Sequence, residues 1–142
     1  MLNDYKIYVA LVSANLVENN YWPISGQSVK SFANTDYVDG VYLCDAQSSD
    51  DTVAFHVSLG IEKLKIINCR KWDTTDISNT CYNRVIDDCV QYFSNLGEKC
   101  IVYITSADIF LYDALRDDMK NMLVSMTNSD ANLATANYQK VI

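Results

Sequence analysis

Four short apolar runs, Tyr5–Val12, Val41–Cys44, Lys65–Cys69 and Cys100–Ile104, stand well apart along a chain of 142 residues. The gaps between them are long enough for helices, and strands that alternate with helices form parallel sheets through crossover connections. The first run is β-branched and aromatic with little polarity, the pattern of a strand covered on both faces. Asp39-Gly40 signals a turn before the second run. Gly97 and Ser106 bracket the last, which is too short for a helix and reads as a buried strand.

The intervals differ in how clearly they speak. Residues 18–37 show no sustained period and carry Asn19-Asn20, Pro23 and Gly26, which reads as loop with a short helical turn near 27–33. Ser48, Ser49 and Asp50 are cap candidates for a helix over 50–59, with Val53, Val57 and Leu59 as its apolar stripe and Gly60 as its stop. Cys81, Val85, Cys89 and Phe93 recur at four-residue intervals, which predicts an amphipathic helix over 79–96 with Gly97 as its left-handed end. Ser106 or Asp108 can cap a last helix whose stripe is Leu111, Leu115, Met119, Met122, Leu123 and Met126. Beyond the loop-like Thr127–Asp130, a short helix is expected through Leu133 to Tyr138. The expected fold is one three-layer α/β domain over 1–142, a central, mostly parallel sheet flanked by helices.

Composition narrows the function. A chain that is 49% hydrophobic and 20% charged with one proline is globular. Eighteen acidic against eleven basic residues give a net charge of −7, which argues against nucleic-acid and anionic-membrane partners. The glycines lie too far apart for a dinucleotide-binding turn or a phosphate loop. His56 is the single histidine, so histidine-rich metal centres are out, and no cofactor or metal is expected. Five cysteines without a C-x-x-C and without a preceding apolar signal segment read as reduced thiols in a cytoplasmic setting. No apolar run approaches the roughly 20 residues of a membrane span.

The order of Asp39-Gly40-Val41-Tyr42-Leu43-Cys44, Leu59-Gly60-Ile61, Thr75-Asp76-Ile77-Ser78, Gly97-Glu98-Lys99 and Cys100-Ile101-Val102-Tyr103 resembles the dual-specificity protein phosphatases, over residues 39–126. In that family a V-Y-L-G strand, a helix ending in L-G-I, a D-I-S helix start and G-x-x-V-L-V-H-C follow in this order. Its chemistry needs a thiolate and an arginine six positions later to clamp phosphate oxygens. Six residues after the five cysteines stand Asp50, Thr75, Asp87, Asn95 and Ser106. Laid on the last strand-to-helix junction, the family's histidine falls on Tyr103, its cysteine on Ile104, its loop on Thr105, Ser106, Ala107, Asp108 and Ile109, and its arginine on Phe110. The general-acid region falls on Lys71 and Asp73. The resemblance thus implies a pseudophosphatase whose degenerate loop joins a central strand to a helix. It would have lost catalysis and act by protein–protein contact, a homodimer being one such arrangement.

Thr52–Gly60 is similar in passing to the nucleoside 2-deoxyribosyltransferases, in which a G-T-A-F-E-I-G helix carries a nucleophilic glutamate. His56 occupies that position here, which removes the nucleophile. That resemblance implies a small-molecule-binding, flavodoxin-like domain. The simpler reading of His56 is a partly buried histidine bonded to backbone.

Other side chains have plain structural readings. Cys81 and Cys89 lie on an apolar stripe, Cys69 at a strand end beside Arg70, and the methionines on a core face. Asp50-Asp51, Asp87-Asp88 and Asp117-Asp118 diverge on helices and read as solvated faces. Tyr21-Trp22, with Tyr92, Tyr112 and Tyr138, are candidates for an aromatic protein-binding patch.

Overall fold

The computed structural model describes residues 1–71, 80–107, 109, 111 and 116–129. Their elements are β1 (Lys6–Ser13), α1 (Trp22–Ala33), β2 (Gly40–Asp45), α2 (Thr52–Ser58), β3 (Leu64–Asn68), α3 (Thr80–Asn95), β4 (Cys100–Ser106) and α4 (Arg116–Thr127). The four strands form one wholly parallel sheet in the order β3-β2-β1-β4.

Strand alternation sorts the core into two layers. Ile7, Val9 and Leu11 of β1, with Val41, Leu43 and Ile101, face Val29 and Phe32 of α1 and Met119 and Leu123 of α4. Tyr8, Ala10 and Val12, with Tyr42, Cys44 and Ile67, face Val85, Cys89 and Phe93 of α3. All of β1 after Lys6 is buried, which is why its sequence is a continuous apolar run. Each Val, Leu or Ile so buried contributes roughly 1.5–3 kcal/mol. The expected three-layer α/β arrangement with a parallel sheet is therefore present.

Several local expectations are corrected. The segment expected to be loop with a turn near 27–33 is the twelve-residue helix α1. Pro23 lies in its first turn, where the missing N–H is an orphan in any helix. Gly26 is tolerated inside because it lets Phe55 of α2 approach: a Cβ there would meet Phe55 Cζ at 3.3 Å.

α2 is turned relative to its apolar pattern. Thr52 and His56 face inward, while Val57 is 63% exposed. Polar pairing to α1 overrides the hydrophobic stripe here.

α3 follows its sequence closely. Val85, Cys89 and Phe93 are buried, and Gly97 takes the left-handed conformation at φ +65°, as expected. The Cys81 side chain lies outside the described residues.

β4 runs on to Ser106 because β1 is long enough to pair with it: Leu11 lies opposite Thr105 and Val12 opposite Ser106. The last described helix spans Arg116–Thr127, with Asp117 and Asp118 as its acidic first-turn residues, and Ile109 and Leu111 ahead of it are not helical. Leu111 still joins the core, ahead of that helix. Leu115 and the expected helix through Leu133 to Tyr138 lie outside the described residues.

Candidate functional site

In open parallel sheets ligands bind beyond the carboxyl ends of the strands, where the strand order reverses. The chain winds from β1 to β2 to β3 on one side and returns to place β4 on the other side of β1. The reversal thus lies between β1 and β4. Among the described strands β4 borders the sheet, pairing with β1 alone, whereas the phosphatase resemblance implies a central strand there.

The degenerate phosphate-loop positions divide. Tyr103, Ile104, Thr105 and Ser106 belong to β4 and not to a loop. Tyr103 packs toward α1, its ring centroid 6.0 Å from that of Phe32, and Ile104 packs toward α3. Asp108 and Phe110 lie outside the described residues.

The described part of the loop is tied down. The Ala107 N–H donates to the Val12 carbonyl (3.1 Å), the Ile109 N–H to the Ser106 carbonyl (3.2 Å) and the Leu111 N–H to Ser31 Oγ (3.1 Å). Ser28 Oγ donates to the Ile109 carbonyl. A phosphate cradle needs such amides free and convergent. These three are engaged by the protein itself. Lys71 is exposed just beyond β3, and Asp73 lies outside the described residues.

At the same end of the sheet, a polar network joins the loops after β1 and β2. Asp45, 1% exposed, accepts from Ser13 Oγ (3.0 Å), Ser48 Oγ (2.6 Å) and the Ser48 N–H (2.8 Å). The Asn15 N–H donates to Ser48 Oγ (2.9 Å), and the Ser49 N–H donates to Asn15 Oδ1 (2.9 Å). Asn15 takes the left-handed backbone that asparagine tolerates better than most (φ 47°). Asp45 went unnoticed in the sequence, although an acid ending an apolar strand and followed by two serines is a usable signal.

His56 is fully buried, more so than expected. Its Nδ1 lies 2.7 Å from the Thr52 carbonyl, which only accepts, so Nδ1 carries the proton. Nε2 then lies 2.9 Å from Ser25 Oγ, a hydroxyl that also faces the Trp22 carbonyl at 3.1 Å. With both nitrogens engaged, the ring joins α2 to α1.

Burial pushes the His56 pKa below its usual value, against the opposing pull of the Thr52 carbonyl and Asp45. The unfolded chain therefore binds a proton that the fold refuses. His56 stabilises fully above the ordinary histidine pKa of about 6.5, and that stability is lost as pH falls below it. Thermal unfolding should thus show Tm dropping below about pH 6.5 more steeply for the native chain than for His56→Gln. Parallel curves would show that the ring titrates without penalty.

Cys44, Cys69 and Cys89 meet beneath α3, all buried. Hydrogen bonds from Cys44 and Cys89 favour the thiolate at Cys69 and draw its pKa down. Bonding with Cys69 and burial push the Cys44 thiol up. At the amino ends of the strands, a cavity of about 490 Å³ is lined by Tyr8, Tyr42, Tyr92, Lys65 and Glu98 among others. Tyr92 thus lies far from Tyr21 and Trp22 along the sheet, and Tyr112 and Tyr138 lie outside the described residues.

No helix among the described residues is long and apolar enough to cross a membrane. No family model, curated protein or solved structure matches the chain. The class defined by its architecture is a layered α/β protein with a parallel sheet.

Proposed function

We propose that this chain is a catalytically inactive, phosphatase-like α/β protein that works by protein–protein contact through the outer side of α1 and α2. The observation that carries the reading is the set of large apolar side chains that those two helices and the residue leading into α1 turn to solvent. Tyr21, Trp22, Ile24 and Val57 are 49%, 43%, 39% and 63% exposed. Trp22 is also braced, its ring edge-on to Phe55 at 5.5 Å, and a pre-ordered aromatic is the kind of residue that anchors interfaces.

The surroundings define the partner. The Glu18 N–H donates to Asp50 at 2.8 Å, so Glu18 and Asp50 lie together next to Tyr21 and the start of α2, with Asp51 exposed beside them. On a chain of net charge −7, such a surface fits a basic segment bearing apolar residues.

Two observations support loss of catalysis. Ile104 stands where the phosphatase resemblance needs a thiolate, and the neighbouring loop amides already have acceptors. The deoxyribosyltransferase resemblance lacks its nucleophile, His56 being buried and bonded at both nitrogens.

Fluorescence anisotropy with a labelled amphipathic Lys/Leu/Trp peptide tests the surface. Saturable binding is expected that weakens with salt. Trp22→Asp and Val57→Asp should each weaken it at least about ten-fold, the scale of an interface hot spot, without lowering Tm. Undiminished binding in both variants would overturn the surface. Hydrolysis of an aryl phosphate, lost on mutating one cysteine, would overturn the inactive reading.

A further inference from the structure

Cys44, Cys69 and Cys89 come from three different elements. Cys44 occupies β2 opposite Ile67 of β3. Cys69 follows β3, and its N–H donates to the Asp45 carbonyl at 2.8 Å, which extends the pairing of the two strands by a residue. Cys89 enters from the buried stripe of α3, between Val85 and Phe93. The cysteines are 0%, 2% and 0% exposed, and their sulfurs all lie within 4.8 Å of one another. Val12, Ala46, Ile67 and Val85 belong to the same apolar layer.

We propose that this trio is a binding site for a soft, thiophilic metal ion of three-coordinate preference, of the Cu(I) class. Hard cations such as calcium and magnesium take oxygen ligands, which the site does not offer. Structural zinc takes four ligands, and among the described residues no fourth histidine, cysteine or carboxylate joins the group. A donor set made only of sulfur selects soft ions. With a metal–sulfur bond of about 2.3 Å, planar three-coordination separates the sulfurs by about 4.0 Å, inside the spread already present. Thiol protons leave to solvent as the thiolates bind.

The three ligands sit on two adjacent strands and the helix that covers them. A bound ion would therefore pin α3 to the sheet and stabilise the folded state. Such convergence is invisible to a search for closely spaced cysteine pairs, because β2, β3 and α3 each contribute one ligand.

The reduced full chain, titrated anaerobically with Cu(I) against bicinchoninate, should retain one Cu(I) per chain and gain several degrees in Tm. X-ray absorption of the loaded native protein should show three sulfur neighbours. Cys44→Ser and Cys69→Ser should each lower affinity at least ten-fold, while Cys100→Ser, on β4, should leave it unchanged. Transfer of all the copper to bicinchoninate would overturn the proposal. A shell of nitrogen and oxygen, or unchanged affinity in Cys44→Ser/Cys69→Ser, would do the same. The absorption measurement uses the native chain, so the outcome does not depend on how the variants fold.

Discussion

Truncating Phe32 to alanine is expected to destabilise the protein by about 3–5 kcal/mol, a large fraction of what a chain of this size possesses. Phe32 is 1% exposed on the inner face of α1 and reaches the layer formed by Val9, Leu11, Val41 and Leu43. Its ring lies against Tyr103 of β4, so it connects the helix to two sides of the sheet. α1 is bonded through Ser28 and Ser31 to the segment after β4, which restrains collapse into the vacated space. The cavity term should therefore add to the lost transfer energy. Urea unfolding should show a lower midpoint at unchanged m, with Leu96→Ala, 38% exposed, as a near-neutral control. A loss under about 1 kcal/mol would mean that α1 does not cover the sheet as described.

Asp45→Ala is expected to cost about 2–4 kcal/mol for a different reason. It removes an acceptor from the Ser13 hydroxyl and from both donors of Ser48, leaving buried Ser13 without its carboxylate partner. The loops after β1 and β2 also lose the group that holds them together. Asp45→Asn should recover part of the loss, since one amide oxygen can still accept while the NH2 group faces donors. Hydrogen exchange at Asn15, Ser48 and Ser49 should accelerate in Asp45→Ala by more than global destabilisation predicts. Uniform acceleration would make Asp45 an ordinary packing residue.

How far such features can be read from sequence depends on where their partners lie. The four strands, α3 and the turn at Gly97 were legible because each is encoded locally: apolar runs for buried strands, a four-residue stripe for the helix, glycine for a left-handed end. α1 was not, because Pro23 and Gly26 look like breakers until the first-turn position of one and the approach of Phe55 to the other are known. α2 misled in the opposite sense. Its valines imply an inward stripe, yet the pair of His56 with Ser25, 31 residues apart, turns Thr52 and His56 inward.

The site was harder still. The phosphatase resemblance directs attention to Tyr103–Phe110, of which the first four described positions are strand. Asp45 and the three buried cysteines acquire meaning only when adjacent parallel strands align their ends, and no spacing along the chain announces that. The exposed pair Tyr21-Trp22 was legible as a candidate surface, whereas the exposure of Val57 follows only from the way α2 is turned.

The central claim, a protein-binding α/β scaffold without a small-molecule centre, is tested most directly by thermal shift of the full chain. The panel is phosphate, tungstate, phosphotyrosine, nucleosides and nucleotides, set against the basic amphipathic peptide. The account predicts a concentration-dependent rise in Tm with the peptide, lost in Trp22→Asp, and no shift with the oxyanions or nucleosides. A rise with any oxyanion or nucleoside, undiminished in Trp22→Asp, would contradict it and identify a working ligand pocket.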